Sequence, residues 1–287
     1  MQNFKIKSYC KINLSLKVLK KLKTGYHNIA SLITFCDLHD VISISEIEGF
    51  KDKISFSGKF KRGINKKRNT ITKTLILLRK KGLINKKFFK IIITKNIPHG
   101  SGLGGGSSNA ADLLNHLNLN KKLKLSKKKL KMLAQKIGFD VPISLEKKNT
   151  FLNGKSGKIS RLKKRFKLNL LIVYPNVKCS TRKIYKENKI FSLLNLKSYS
   201  RIKNNKQLID LLKEDNNDLQ RIVIKFYPKI KKIIDLIKIQ KGCYFSRITG
   251  SGSACIGIFS NMKSAVYAHK LIKLKHSKYW CAISKTI

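Results

Sequence analysis

The densest concentration of residues suited to chemistry is Pro98-His99-Gly100-Ser101-Gly102-Leu103-Gly104-Gly105-Gly106-Ser107-Ser108-Asn109-Ala110-Ala111, with five glycines in fourteen residues. Glycine accepts positive φ and lets a ligand approach the backbone closely. The flanks define what the loop joins. Upstream, Phe88-Phe89-Lys90-Ile91-Ile92-Ile93-Thr94 is an apolar, β-branched run of strand type, and downstream Ala110-Ala111-Asp112-Leu113-Leu114 favours a helix. A strand, a glycine loop and a helix in that order gather backbone N–H groups at the positive end of a helix dipole. The expected ligand is therefore a di- or triphosphate, and a nucleotide in particular.

Two familiar phosphate loops fit less well. A Walker A loop ends in Gly-Lys-Ser/Thr, whereas Gly106 is followed directly by Ser107. Gly100, Gly102 and Gly105 satisfy GxGxxG, but a dinucleotide site also wants an acidic residue about 20 positions further on. No Asp or Glu occurs from Leu113 to Phe139. A flexible linker would not sit between an apolar strand and an Ala/Leu helix.

The loop resembles the central motif P-x-G-x-G-L-G-S/G-S-S-A-x of the galactokinase, homoserine kinase, mevalonate kinase and phosphomevalonate kinase superfamily. Its Gly-Gly-Gly-Ser-Ser-Asn-Ala-Ala ending is most similar to the branch that phosphorylates the C2 hydroxyl of 4-diphosphocytidyl-2-C-methyl-D-erythritol, in the non-mevalonate route to isoprenoids. Four further stretches are similar in the same order. Lys11-Ile12-Asn13-Leu14 followed by Gly25-Tyr26-His27 resembles A-K-I-N-L and D-G-Y-H, with Cys10 and Thr24 departing from the pattern. Gly138-Phe139-Asp140-Val141-Pro142 resembles G-A-D-V-P, with Phe139 in place of Ala. Ser180-Thr181-Arg182-Lys183-Ile184-Tyr185 resembles P-T-x-x-I/V-F/Y, with Ser180 in place of Pro. Thr249-Gly250-Ser251-Gly252-Ser253-Ala254 is similar to the superfamily's third motif, which supports the phosphate loop and the acceptor pocket.

The resemblance implies an α+β fold of two domains, an N-terminal ribosomal-protein-like domain for ATP and a ferredoxin-like C-terminal domain. The expected division is 1–155 and 156–287, near Gly154-Lys155-Ser156-Gly157. It also implies roles. Pro98 to Ser108 would cradle the triphosphate of ATP, with Ser107 or Ser108 near Mg²⁺ and no other protein ligand to metal assigned. Asn69 would contact the adenine, although on residue type alone it is a helix N-cap. Asp140 would accept the proton of the acceptor hydroxyl, and Lys11 would pair with it and offset developing negative charge. Asn13 and Thr181 would line the acceptor site, Tyr26 and Tyr185 would enclose the cytosine, and His27 would read its edge. Taken without the family, Asp140 is a helix-terminal turn residue, Lys11 a strand residue facing solvent, and Tyr26-His27 an ordinary turn.

The bulk properties bound the alternatives. A chain of 287 residues can bury a substantial core, and 42% hydrophobic content is that of a globular protein. No apolar run approaches a membrane span, and charges scattered through Met1 to Leu14 exclude a secretory leader, so a cytoplasmic location is expected. The six cysteines show no CxxC pair and are read as free thiols. The formal net charge is +50, with 55 lysines and 9 arginines spread along the chain. That spread lacks the focus and the arginine content of a nucleic-acid site, so no specific nucleic-acid partner is expected and lysine is read as a bias at exposed positions. The expected partner is a small cytidine diphosphate derivative, on a monomer or weak homodimer. Kinases for homoserine or mevalonate, and a basic RNA-binding protein of similar fold, are the competing readings.

Periodicity predicts the positioning elements. Phe4 to Val18 alternates as a strand or strand pair, followed by strands over 29–36, 41–47 and 53–56 with a turn at Asp37 to Asp40. Helices are expected from Asn69 to Leu83, after the loop to Leu119, over 126–137 and from Asn217 to Ile239. Leu168 to Tyr174 reads as a strand, and Tyr244 to Phe259 as a strand, turn and strand.

Overall fold

The alternation that opens the chain becomes β1 (Phe4–Asn13) and β2 (Lys17–Lys21) in the computed structural model, which describes residues 2–120, 123–153, 158–193 and 202–287. The segment 154–157, where the domain boundary was expected, lies outside the described residues. The chain divides into two compact units, each built from several segments.

The first unit comprises the residues up to Lys11, Leu38–His99 and Gly104–Lys147. Its sheet is formed by the second half of β3 (His27–Ile47), β5 (Phe88–Thr94) and β4 (Lys53–Ser57). β3 runs antiparallel to β5, with Val41 opposite Thr94 and Ile47 opposite Phe88, and β4 runs parallel to β5. On β5 the alternate residues Phe89, Ile91 and Ile93 are buried. Three helices cover them: α1 (Thr70–Lys80), α2 (Gly105–Asn120) and α3 (Lys127–Ile137). Ile71, Leu75 and Leu78 recur at helical spacing and join Leu113, Leu114, Leu117, Leu133 and Ile137 in one core with the sheet. A single-turn helix, α4 (Val141–Ser144), follows.

The second unit comprises Ile12–Asp37, Gly100–Leu103 and Lys148–Ile287. β6 (Thr150–Asn153) pairs antiparallel with the first half of β3 and with β7 (Lys158–Arg161). A four-stranded antiparallel sheet runs in the order β11 (Trp280–Lys285), β8 (Asn169–Tyr174), β10 (Cys255–Phe259), β9 (Cys243–Ile248). The helices are α5 (Thr181–Lys186), α6 (Asn205–Glu214), α7 (Gln220–Phe226), α8 (Lys229–Lys238) and α9 (Met262–Lys275). Val223, Ile230, Ile233, Ile237, Ala265 and Ile272 from the last three meet Leu171 and Val173 of the central strand in one core.

Four expectations are corrected. The strands over 29–36 and 41–47 are one strand, β3, because the polar residues between them are held by distant partners: Asp37 accepts from Ser284 and from the Lys285 N–H, and Asp40 from Lys95. α2 begins at Gly105, so Ser107 and Ser108 lie in its first turn. The expected helix to Ile239 is two, separated at Tyr227-Pro228, where proline has no N–H to continue the first. α1 stops at Lys80, before Gly82 with φ +68°. The units also differ from a division at 155/156, since β1 and β3 are long enough to pass from one unit into the other.

Candidate active site

The glycine loop owes its form to backbone that only glycine adopts without strain. Gly102 and Gly104 have φ of +85° and +66°. A Cβ on Gly104 would stand 3.0 Å from Lys11 Cε and 3.1 Å from Lys11 Cβ. One on Gly102 would stand 2.2 Å from the carbonyl oxygen of Thr249. α2 then starts without a side-chain cap: its first internal bond runs from the Ser108 N–H to the Gly104 oxygen at 2.9 Å. Among the described residues the N–H groups of Gly105, Gly106 and Ser107 have no acceptor, and no acidic residue lies in the first turn. Free N–H groups at the positive end of a sixteen-residue helix suit an anionic ligand.

The two serines differ. Ser107 is half-buried, whereas Ser108 is buried and donates to Ser144 Oγ at 3.3 Å, which in turn donates to the Asp140 carbonyl at 3.3 Å. The Thr70 hydroxyl, on the first residue of α1, donates to the Gly106 carbonyl at 2.7 Å. Asn69 is the N-cap of α1: its Oδ1 accepts from the Thr72 N–H at 2.9 Å, and its Nδ2 donates to the carbonyls of Asn65 and Lys66. The amide hydrogens of Asn69 are therefore engaged within its own turn. His99 Nε2 lies 2.9 Å from the Arg62 carbonyl oxygen, and Pro98 is buried just before it.

Lys11 and Asp140 come together in the first unit, Nζ to Oδ2 3.4 Å. They differ in access: the Lys11 side chain is 4% exposed and that of Asp140 43%. Asp140 precedes α4, in a turn closed by the Val141 N–H on the Gly138 carbonyl at 3.2 Å. The bulky Phe139 is 71% exposed, so its ring occupies little of the interior. The result is a carboxylate open to a reactant and a cation packed behind it, against Gly104.

In the second unit Asn13 and Thr181, both expected at the acceptor, are held to the turn between β9 and β10. The Asn13 N–H donates to Thr249 Oγ1 at 2.8 Å, and Asn13 Nδ2 to Ser31 Oγ at 2.7 Å. The turn is held from below by Asn217, whose Nδ2 donates to the Gly250 carbonyl at 2.8 Å. Thr181 and Ser251 share a hydroxyl hydrogen bond of 2.8 Å, and the Ala254 N–H donates to the carbonyl of Ser101 in the glycine loop at 2.9 Å. His27 lies 5.4 Å from the Tyr185 ring, tilted, and 6.4 Å from the Phe191 ring, stacked. Tyr26 is 56% exposed. Phe191 carried no signal in the sequence, since it stands in no motif. His27 Nε2 is buried and has no hydrogen-bond partner among the described residues. Burial, with Lys21 nearby, pushes the His27 imidazole below its ordinary value, so it is neutral at physiological pH.

The two-domain α+β architecture agrees with what wider comparison finds. Residues 69–148 match the GHMP kinases N terminal domain and residues 195–272 the GHMP kinases C terminal domain. The chain belongs to the GHMP kinase family, whose members are ATP-dependent small-molecule phosphotransferases. Among its relatives, the 4-diphosphocytidyl-2-C-methyl-D-erythritol kinase of Pelagibacter ubique is 39% identical over 287 residues, covering 100% of both chains. That of Caldanaerobacter subterraneus is 34% identical over 287 residues, covering 99% of this chain and 96% of its own. The fold is similar to a crystal structure of 4-(cytidine 5'-diphospho)-2C-methyl-D-erythritol kinase, with a TM-score of 0.79 at 21% identity over 99% of each chain.

Proposed function

We propose that this chain transfers the γ-phosphoryl group of ATP to the C2 hydroxyl of 4-diphosphocytidyl-2-C-methyl-D-erythritol, a step of the non-mevalonate route to isoprenoid precursors. Relatives with that activity align with the whole chain. The observation that carries the reading is the Lys11–Asp140 pair, 3.4 Å apart, with the lysine stem packed against Gly104 at the start of the phosphate-binding helix.

Phosphoryl transfer asks for positioning and charge stabilisation more than for covalent chemistry. The N–H groups of Gly105, Gly106 and Ser107 offer donors to the phosphates, within the loop Pro98 to Ser108. Asp140, the exposed partner, takes the proton of the C2 hydroxyl as that oxygen bonds to γ-phosphorus and the bond to the β,γ-bridging oxygen breaks, releasing ADP. Lys11, held beside the carboxylate, offsets charge on the transferring group. Mg²⁺ fits the free Ser107 hydroxyl better than Ser108, which is committed to Ser144. Among the described residues no group of three His, Cys, Asp or Glu could hold a metal, so the remaining ligands would be phosphate oxygens and water. When bound, the ion supplies neutralisation of phosphate charge.

Tyr26, Tyr185 and His27 hold the cytosine, and the unpartnered His27 Nε2 supports a hydrogen bond to its edge. Asn13 and Thr181 line the acceptor. Asn69 acts first as a cap, and the second lone pair of Oδ1, which already accepts from the Thr72 N–H, is what it can offer a donor of the adenine. No described helix is long and apolar enough to cross a membrane.

The test is ADP release from Mg-ATP with 4-diphosphocytidyl-2-C-methyl-D-erythritol, mevalonate, homoserine or no acceptor. Turnover with the cytidylyl acceptor alone is expected. Turnover with mevalonate or homoserine instead would overturn the assignment of the acceptor.

A further inference from the structure

In the first unit lies a buried polar cluster of which only Asn109 falls within a motif. Asp40 on β3 is fully buried and Lys95, just past β5, is nearly so. Asp40 Oδ1 accepts from the Asn96 N–H at 2.8 Å and the Ile97 N–H at 2.9 Å, the last two residues before Pro98. Asp40 Oδ2 accepts from Lys95 Nζ and, at 3.1 Å, from Asn109 Nδ2. Lys95 Nζ also donates to Asn109 Oδ1 at 2.9 Å, and Asn109 Nδ2 to Ser8 Oγ at 3.0 Å. Asn109 stands on the second turn of α2, and a Cβ on Gly105 would be 3.4 Å from Asp40 Oδ2.

One carboxylate thus binds both ends of the loop: the two N–H groups where the chain leaves β5 and the helix by which it returns. Both of its oxygens are saturated and the ion pair is shielded from solvent, so its geometry is set by packing and survives salt. An uncompensated charge would be costly at that depth, which accounts for the lysine alongside. Burial pushes the Lys95 ammonium below its ordinary value while Asp40 acts in the other direction.

The geometry points to Asp40, with Lys95 and Asn109, as the positioning residues that hold the two ends of the phosphate loop in register, so that the free N–H groups of Gly105 to Ser107 are preorganised for the triphosphate. This rests on reading the loop as the ATP site. None of the three residues touches the reacting atoms; they act through the backbone they hold.

Asp40→Asn keeps an oxygen for Asn96 and Ile97 but turns a donor toward Lys95 and Asn109. Mg-ATP binding to the full chain is read by calorimetry, so the result does not depend on turnover with any acceptor, and amide hydrogen exchange is read over 96–109. The variant should raise the Kd for Mg-ATP by about tenfold or more, speed exchange in that segment, and leave the acceptor KM unchanged. Loss of thermal stability with an unchanged Kd and unchanged local exchange would reduce the cluster to a structural one and overturn the proposal. Should Asp40→Asn not fold, Asn109→Ala removes one tie and keeps the ion pair; a smaller shift in the same two readouts is expected, and wild-type values for both would refute the assignment.

Discussion

Substituting Gly104 by alanine probes the link between the glycine loop and the lysine of the site. Gly104 has φ +66°, where an L-residue costs about 1–2 kcal/mol. The new Cβ would also sit 3.0 Å from Lys11 Cε and 3.1 Å from Lys11 Cβ. The Cε end can swing aside, but the Cβ is fixed to β1, so relief requires backbone movement of the kind that costs roughly a further 1 kcal/mol. A total of about 2–3 kcal/mol lowers the Tm of a chain this size by roughly 4–12 °C. The swing of Cε carries Nζ away from its 3.4 Å contact with Asp140, and misplacement on the order of 1 Å costs about a hundredfold in rate. Calorimetry and steady-state kinetics on Gly104→Ala read both effects. Gly106→Ala is the control: its Cβ would meet only Thr70 Oγ1 at 3.6 Å and Cγ2 at 4.0 Å, in helical backbone, so stability should rise by at most about 0.5–1 kcal/mol and Tm should not fall. A Gly104→Ala protein with unchanged Tm and kcat would refute the packing of Lys11 against the loop as a determinant of the site.

Other outcomes follow from the same geometry. Asp140→Asn should lower kcat by roughly 10²–10⁴-fold with the Kd for Mg-ATP nearly unchanged, and an active variant would remove the base assignment. Tyr185→Ala should raise the acceptor KM by the worth of one stacked base, about 1–3 kcal/mol, without moving the KM for ATP. Because His27 has its pKa depressed below 6.5, the unfolded chain binds the extra proton first as pH falls, so this stability is present above pH 6.5 and is lost on acidification. Urea midpoints measured on both sides of that value should show a shallower acid loss for His27→Gln. Asn69→Ala should cost about 1 kcal/mol through loss of the α1 cap, visible as a lower Tm.

The chemistry of the site was more legible in the sequence than the connections that hold it. The order of strand, glycine loop and helix survives in the structure, and the family motifs anticipated that Lys11 would meet Asp140. What escaped was long-range satisfaction of polar residues. Asp37 and Asp40 have the composition of a turn, yet they lie inside β3 because Ser284 and Lys95 reach them from 247 and 55 residues away. The buried Lys95 looked like one more lysine in a chain carrying 55 of them. Nothing local separates a lysine that follows a strand and faces water from one that turns inward to a carboxylate. Phe191 escaped similarly, since an isolated aromatic shows no period.

The interleaving of the two units bears on how the chain can be made. Every segment of the first has been synthesised once Lys147 is added. The second cannot be completed until residues 286 and 287 are made: Leu16 bridges to Asn217, Cys36 to Thr286, and the Ile287 N–H donates to the Phe35 carbonyl at 3.2 Å. The early strand segments from Leu14 to Phe35 must therefore wait, unpaired on these sides, through most of translation, a period in which exposed strand surface invites association. A nascent chain stalled before β11 should be markedly more protease-sensitive over 12–37 than the finished protein. Removal of the last few residues should likewise be felt at β3, nearly the whole length of the sequence away.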